Sequence, residues 1–350
     1  MKFSSMISTV AVTVLTLTTL AAQADSFSVL EWNSWVGPDD PIATQAHTDR
    51  VAHDVATVAP DVFLSIETYG KGEAIRAAFA KAHGITPDEV YYRTLSCRDK
   101  NGDATDQQHC VVGKAGDNLA VMSVFPIIDE RLIDYPIDYP FVNDWNFGAV
   151  KLDVHGQGVW VVDTWFDSGE SNESRLDQLY ATARGDQDTE TIVEETSQQQ
   201  QIDAIIQFDQ IRTDQAKEIV NDWIADIIAD ADDTPVVLAG DHNASSHLDW
   251  SERDKAAHYG IVIPYTVSRV FADAGFRDSF REVNPNVVAH SGKTWSPRGN
   301  DTAPNRIDYI YYKGDKLQAI DSTNMAAIGA GAKDATSDHA AVYTRFKLYQ

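Results

Sequence analysis

The chain is 350 residues long, with 53 acidic against 28 basic residues and a formal net charge of −25 at pH 7. A surface of that sign repels long polyanions, which argues against non-specific nucleic-acid binding through a basic face. It weakens a nuclease reading without excluding it, because a metal-lined cleft can be locally positive inside an acidic protein.

Residues 1–24 carry a single charge, Lys2, then an apolar, Thr-rich run over 6–20, then Ala22-Gln23-Ala24, the small-x-small pattern of a cleavage site. They predict a secretory signal peptide, a mature chain starting near Asp25, and a secreted or periplasmic location. The leader is too short to be a comfortable membrane span, and no later stretch approaches the roughly 20 apolar residues that spanning requires. The remainder is long for a simple domain but normal for one large two-sheet architecture.

Residues 26–32 (SFSVLEW) alternate as a strand and end at Asn33. Val51, Val55 and Val58 stand at helical spacing over 49–60, and Pro60 stops that helix. A buried strand over 62–66 ends at Glu67. Cys97 and Cys110 lie in the exported part, so a disulfide is expected; it would close a loop of about 14 residues, worth ~3 kcal/mol if unstrained. Between them, 99–106 (DKNGDATD) spaces Asp99, Asn101 and Asp103 like a calcium loop. Ala104 and Cys110 stand where that loop needs Gly and Glu, so a solvated acidic turn is the better reading.

Strands are predicted over 120–125 and 159–164, then a polar, acidic insertion over about 168–209 with little to bury. An amphipathic helix over 216–228 presents Ile219, Val220, Trp223, Ile224, Ile227 and Ile228 on one face. A short buried strand over 235–239 follows, with further strands over 306–312 and 340–348. Strands alternate with helices only in part, which predicts mixed sheets rather than a doubly wound parallel one.

Chemistry-bearing residues recur where these strands end: Asn33, Glu67, Asp241, Asn243, Asp308 and the pair Asp338-His339. Singly, each is an ordinary turn former; together, after successive apolar runs, they mark one rim of a sheet-based site. WN, the strand ending in Glu67, GDHN, RIDYI and SDH resemble the motif series of the endonuclease/exonuclease/phosphatase superfamily, from Ser26 to the C-terminus. GDHNASSHLDW is also similar to a secreted bacterial branch of that superfamily.

The resemblance implies a single catalytic domain over 25–350 of the α+β class, a DNase I-like four-layer sandwich with two central mixed β-sheets flanked by helices. It also implies a Mg²⁺ or Mn²⁺ site, with Ca²⁺ a further option. On its terms Glu67 supplies a hard carboxylate oxygen, with Asn33 and Asp338 as further ligands or partners behind it. Asp241 orients and deprotonates the attacking water, and Asn243, two residues on along an extended chain, donates to developing charge. His339 binds the phosphate, with Asp308 on its other ring nitrogen. His242, between Asp241 and Asn243, points away by alternation and reads as structural.

One position departs from the pattern. Many members carry Thr-His-Leu before the insertion, and their His binds phosphate or protonates the leaving group; here VVDTWFD puts Trp165 in its place. Either the leaving group needs no acid, another His has moved in, or activity is lost. His247, four residues after Asn243, is the candidate substitute, although a loop or helix-cap histidine reads the same way. Trp165 could stack on substrate or pack in the core.

The leading expectation is a metal-dependent phosphoesterase acting on small-molecule or lipid phosphate esters, with no stable membrane insertion and no obligate protein partner evident. Nucleic acid is the nearest alternative substrate, since the superfamily contains both activities. The lack of an Arg/Lys cluster able to track a backbone stands against it. A catalytically decayed binding module is a third reading, disfavoured because the whole charged set remains.

Overall fold

The computed structural model describes residues 25–35, 44–97, 117–133, 140–143, 145–169, 172–185, 197–297, 303–325 and 335–349. The expected leader at 1–24, Cys110 and therefore the expected disulfide, and the acidic turn expected at 99–106 lie outside these residues.

Among the described residues, twelve strands form two six-stranded sheets. In chain order they are β1 (Asp25–Asn33), β2 (Val62–Ile66), β3 (Tyr91–Thr94), β4 (Ala120–Ser123), β5 (Ile127–Arg131), β6 (Phe147–Val154), β7 (Gln157–Trp165), β8 (Val236–Asp241), β9 (Arg277–Asp278), β10 (Asp308–Lys313), β11 (Leu317–Met325) and β12 (Ala341–Leu348). The first sheet has the order β11-β12-β1-β2-β4-β3 and the second β5-β6-β7-β8-β10-β9. Each contains one parallel pair, β1/β2 or β7/β8, flanked by antiparallel neighbours. The sheets are therefore mixed, as the alternation predicts, and the class is α+β, as the resemblance implies.

Alternation along β1 sets the layers. Phe27 and Val29 join Val161, Val237, Ile310 and Phe346 in the core between the sheets. Leu30 and Trp32, one residue out of phase, pack with α1 (Gln45–Val58) and α2 (Gly72–His83) on the outer face. Two-sided burial explains why β1, β2 and β8 read as continuous apolar runs. The second sheet is covered on its far side by helices that include α5 (Gln210–Glu218), α6 (Ala225–Ala229) and α7 (Val267–Asp273). Helices, sheet, sheet and helices make the four-layer DNase I-like sandwich.

Two expectations need correction. The stretch over 168–209 has more to bury than its polarity suggests: its described parts form α3 (Asn172–Arg184) and α4 (Gln198–Phe208). Leu176, Leu179, Ile202 and Ile205 pack there with Trp250, Ile261 and Ile263. The single helix expected over 216–228 is interrupted by a wider turn at Ile219–Trp223, where Ile224 N–H bonds back five residues to Ile219 O at 3.0 Å. A final short helix, α8 (Ser279–Val283), is capped by Asp278, whose side chain accepts from Arg281 N–H.

Candidate active site

The parallel pairs place the site. Asn33 is paired with Ile66, the residue before Glu67, at the carboxyl ends of β1 and β2. Trp165 is paired with Asp241 at the carboxyl ends of β7 and β8, and Asp308 is paired with Asp241 from the antiparallel neighbour β10. Carboxyl ends of parallel strands from both sheets thus converge on one rim, the usual location for sites in sheet-based enzymes. Gly240 permits the close approach of β8 to β7. A Cβ there would lie 2.1 Å from the Thr164 carbonyl oxygen, so the Gly of the GDHN motif is a packing requirement.

Asn33, Trp35, Glu67, Trp165, Ser168, Glu173, Asp241, Asn243, Trp295 and His339 line a cavity of about 160 Å³. The Asn33 side chain bridges its two acids: Nδ2 donates to Glu67 Oε1 at 3.2 Å and to Asp241 Oδ2 at 3.0 Å. Its own oxygen accepts from Trp35 N–H at 3.2 Å, so Asn33 stands as a partner behind the carboxylates rather than as an oxygen ligand beside them.

Glu67 and Asn243 both adopt left-handed backbone, with φ of 53° and 48°. Such conformations cost on the order of 1–3 kcal/mol for non-glycine residues and cluster at functional sites. At Glu67 the Asn118 side chain holds the turn by accepting from the Glu67 amide at 3.0 Å, and the buried Lys71 ammonium donates to the Glu67 carbonyl at 2.7 Å. Asn243 does not reach the site along an extended chain, as alternation suggests. The left-handed turn folds its amide back, so that Nδ2 donates to Phe166 O at 3.0 Å and to Asp241 Oδ2 at 3.4 Å.

His339 is gripped from both sides. Nδ1 lies 3.0 Å from each Asp308 oxygen, and Nε2 faces Asp241 Oδ2 across 3.8 Å. Burial alone would push its pKa down; Asp308 and Asp241 outweigh that and hold it well above the ordinary histidine value, which favours the cationic form of the ring. The Ser337 hydroxyl accepts from the His339 amide and donates to Asn33 O, and Trp32 Nε1 donates to His339 O, which ties the SDH segment to β1. Asp338 is half-buried and raises the Glu67 pKa electrostatically, but it does not line the cavity.

The acids are poorly compensated. Burial pushes the Glu67 carboxyl up to about 7, with His339 and Asn33 offsetting only part of it. Asp241 is raised by burial and by Asp308, against His339, the Asn243 amide and Asn33. Ligand atoms of Asp241, Asp308 and His339 lie within 4.8 Å of one another, a spacing that could hold a metal. The imidazole already occupies that group as a cation, however, and Asp308 is committed to it. Glu67, a buried hard-oxygen donor without a charged hydrogen-bond partner among the described contacts, fits a divalent metal better.

The remaining sequence candidates divide. Trp165 lines the cavity and packs on the inter-sheet core. His242 points away, as alternation predicts: its ring stacks on Phe166 and Phe271 at 4.5 and 5.0 Å, and burial lowers its pKa to about 3, so it is neutral. His247 does not reach the site. It bonds Ser268 Oγ through Nδ1 at 2.7 Å and lines a separate cavity of about 350 Å³ with Arg253, Phe276 and Tyr311, because the loop after Asn243 turns toward α7. Sequence reasoning missed Trp35, Trp295 and Glu173. The Trp295 ring meets His339 edge-on at 5.0 Å, and Glu173, in the first turn of α3, is 7% exposed.

The profile of the Endonuclease/Exonuclease/phosphatase family matches residues 30–339. An uncharacterized protein of Caenorhabditis elegans is 42% identical over 92 residues, a match spanning 24% of this chain and 29% of that protein. Among solved structures, an endonuclease/exonuclease/phosphatase of Beutenbergia cavernae is similar at TM-score 0.54 and 19% identity, over 93% of this chain and 72% of the other. A family protein of Bacteroides thetaiotaomicron is similar at TM-score 0.54 and 14% identity, over 93% and 99%. These two likenesses carry the fold.

Proposed function

Since the chain belongs to the endonuclease/exonuclease/phosphatase family, we propose that it is an exported, divalent-metal-dependent hydrolase of phosphate mono- or diesters from the secreted bacterial branch of that family. The observation that carries this reading is the bridge from Glu67 through the Asn33 amide to Asp241, with the Asp308-held His339 cation facing Asp241.

A phosphoester resists attack because its oxygens are negative, so a site must neutralise charge and deliver a nucleophile in line. Glu67 would hold the metal, with Asn33 hydrogen-bonded behind it and Asp338 adding negative charge nearby; a bound Mg²⁺ or Mn²⁺ would supply charge neutralisation of the phosphoryl oxygens. Asp241 takes the proton of the attacking water. A carboxyl raised toward neutral pH is a stronger base than an ordinary aspartate, and the imidazolium beside it stabilises the anion until water is bound. His339, cationic and fixed by Asp308, binds a phosphate oxygen, and the Asn243 amide donates to the charge that develops. Trp35, Trp165 and Trp295 give the cavity aromatic walls suited to the organic part of a small or lipid-linked ester.

The leader pattern over residues 1–24 supports export as a secreted or periplasmic protein. A Cys97–Cys110 disulfide belongs to the same proposal. The net charge of −25 favours small esters over nucleic acid.

The test is turnover of a phosphate monoester, a simple diester, a phospholipid and plasmid DNA with Mg²⁺, Mn²⁺, Ca²⁺ or EDTA. Metal-dependent turnover of an ester other than DNA is expected. Plasmid nicking lost in Asp241→Asn would move the assignment to a nuclease, and no metal-dependent turnover on any substrate would leave a binding module.

A further inference from the structure

Trp165 removes an imidazole from the place where many relatives of this chain are expected to carry their leaving-group acid, and His247 does not fill the gap. Another protonatable group does enter the cavity. Glu173 comes from α3, inside the stretch that separates β7 from β8, and lines the same cavity as Asp241, Asn243 and His339.

Its position is built. Leu176 and Leu179, three and six residues further along α3, are buried against α4, Trp250, Ile261 and Ile263, which anchors the helix and fixes where its first turn points. That anchoring gives the insertion a use beyond packing: it carries a carboxyl to the cavity from a direction the sheets cannot supply.

We propose that Glu173 is the proton donor to the leaving group, taking the part left open by Trp165. The inference rests on the phosphoesterase reading and deepens it. In the step, the water oxygen forms a bond to phosphorus while the bond from phosphorus to the ester oxygen breaks. Asp241 takes a proton from the water. The departing oxygen keeps the bonding pair and takes the proton of the Glu173 carboxyl, leaving an alcohol, phosphate, a protonated Asp241 and an ionised Glu173. Exchange with solvent resets both acids.

The competing donors are worse placed. His339 is held between Asp308 and Asp241, which stabilise its cation and make it a reluctant acid. Asp241 is committed as the base, and Glu67 to the metal. Glu173 is pushed up to about 7, first by burial; its own amide, Arg212 and His339 lower it and Asp241 raises it, while the buried Tyr265 senses its charge. A carboxyl so poised is protonated in part at neutral pH, as a general acid must be.

The experiment compares wild type with Glu173→Gln, at saturating Mg²⁺, on two esters that differ in their need for an acid: p-nitrophenyl phosphate, whose leaving group departs unprotonated, and glycerol phosphate, whose leaving group does not. If wild type prefers diesters, the corresponding diester pair is used. Glu173→Gln is expected to lose about 10²- to 10⁴-fold in kcat on the alkyl ester and less than about threefold on the aryl ester. The alkaline limb of the wild-type kcat profile on the alkyl ester should vanish with it. Equal losses on both esters, with or without a lowered thermal midpoint, would assign Glu173 to metal binding or folding and overturn the proposal. An unchanged alkyl-ester rate would overturn it as well. Wild type inert on both series would instead defeat the phosphoesterase reading itself, an outcome distinguishable from an active wild type that the variant merely matches.

Discussion

Among the described residues, two of the buried clusters of charge are built on opposite principles. Around Asp249, acids and guanidinium groups neutralise each other: Arg306 donates to both Asp249 oxygens at 2.9 and 3.1 Å and meets Asp278 at 2.7 Å, and Arg281 also binds Asp249. Burial pushes the Asp249 carboxyl up, but Arg306 and Arg281 outweigh it and hold it below its ordinary value. At the rim, Glu67, Asp241 and Glu173 are as deeply buried, yet their hydrogen-bond partners are amides and their pKa values are raised. A compensated cluster holds the fold; an uncompensated one stores free energy that a cation or a phosphate can release.

The largest expected effect falls on the rim. Asp241→Asn should lose about 10²- to 10⁴-fold in turnover, and His339→Ala should be close to inactive. The same Asp241→Asn exchange should leave the thermal midpoint unchanged or raise it, since it removes a charge whose burial is unfavourable; a clear loss of stability would show the two clusters to be alike. In the compensated cluster, Arg306→Ala takes the guanidinium from Asp278 and leaves Asp249 with Arg281 alone, and should cost about 3–5 kcal/mol in urea unfolding. A cost below ~1 kcal/mol would end the contrast.

The pH dependence of the metal-free protein gives a smaller test. Glu67 and Glu173 bind protons more tightly folded than unfolded, with values near 7 against the ordinary glutamate value of 4.5. The folded state therefore holds more protons across that window, and stability should fall as pH rises from about 4.5 to about 7. His339 is raised too: its contribution is complete below 6.5 and is lost as pH climbs through its higher folded value, in the same direction. Thermal midpoints in EDTA should thus decline over this range, and added Mg²⁺ should raise them more at pH 8 than at pH 5. The smallest effect is expected at His247: with its ring in the separate cavity, His247→Ala should change turnover by less than about twofold, far below a general acid's contribution.

The site residues that the sequence reveals share one physical feature. Asn33, Glu67, Asp241 and Asp308 each adjoin a strand buried on both faces, so an apolar run announces the polar residue beside it. The buried strands are legible for the same reason, while their arrangement in two packed sheets is what the family resemblance implies; edge strands such as β5, exposed and charged at Asp129 and Glu130, carry no such run. Glu173, Trp35 and Trp295 reach the cavity through loops and a covering helix, where tertiary packing rather than local pattern decides direction. A trace existed for α3 and α4: Leu176 with Leu179 and Ile202 with Ile205, each three residues apart, are the apolar stripes of short helices inside a polar stretch. His247 misled because four residues of chain after a left-handed Asn243 run toward α7 rather than along the rim.

Turnover as a function of Mg²⁺ concentration in wild type and Glu67→Gln decides whether the poorly compensated rim is a cation-dependent hydrolytic site. Wild type should be inactive in EDTA and saturate with Mg²⁺, and the variant should need at least about 10-fold more Mg²⁺ for half its activity. Turnover that survives chelation, or a variant with the wild-type Mg²⁺ dependence, would show that the rim does not work through a cation held at Glu67.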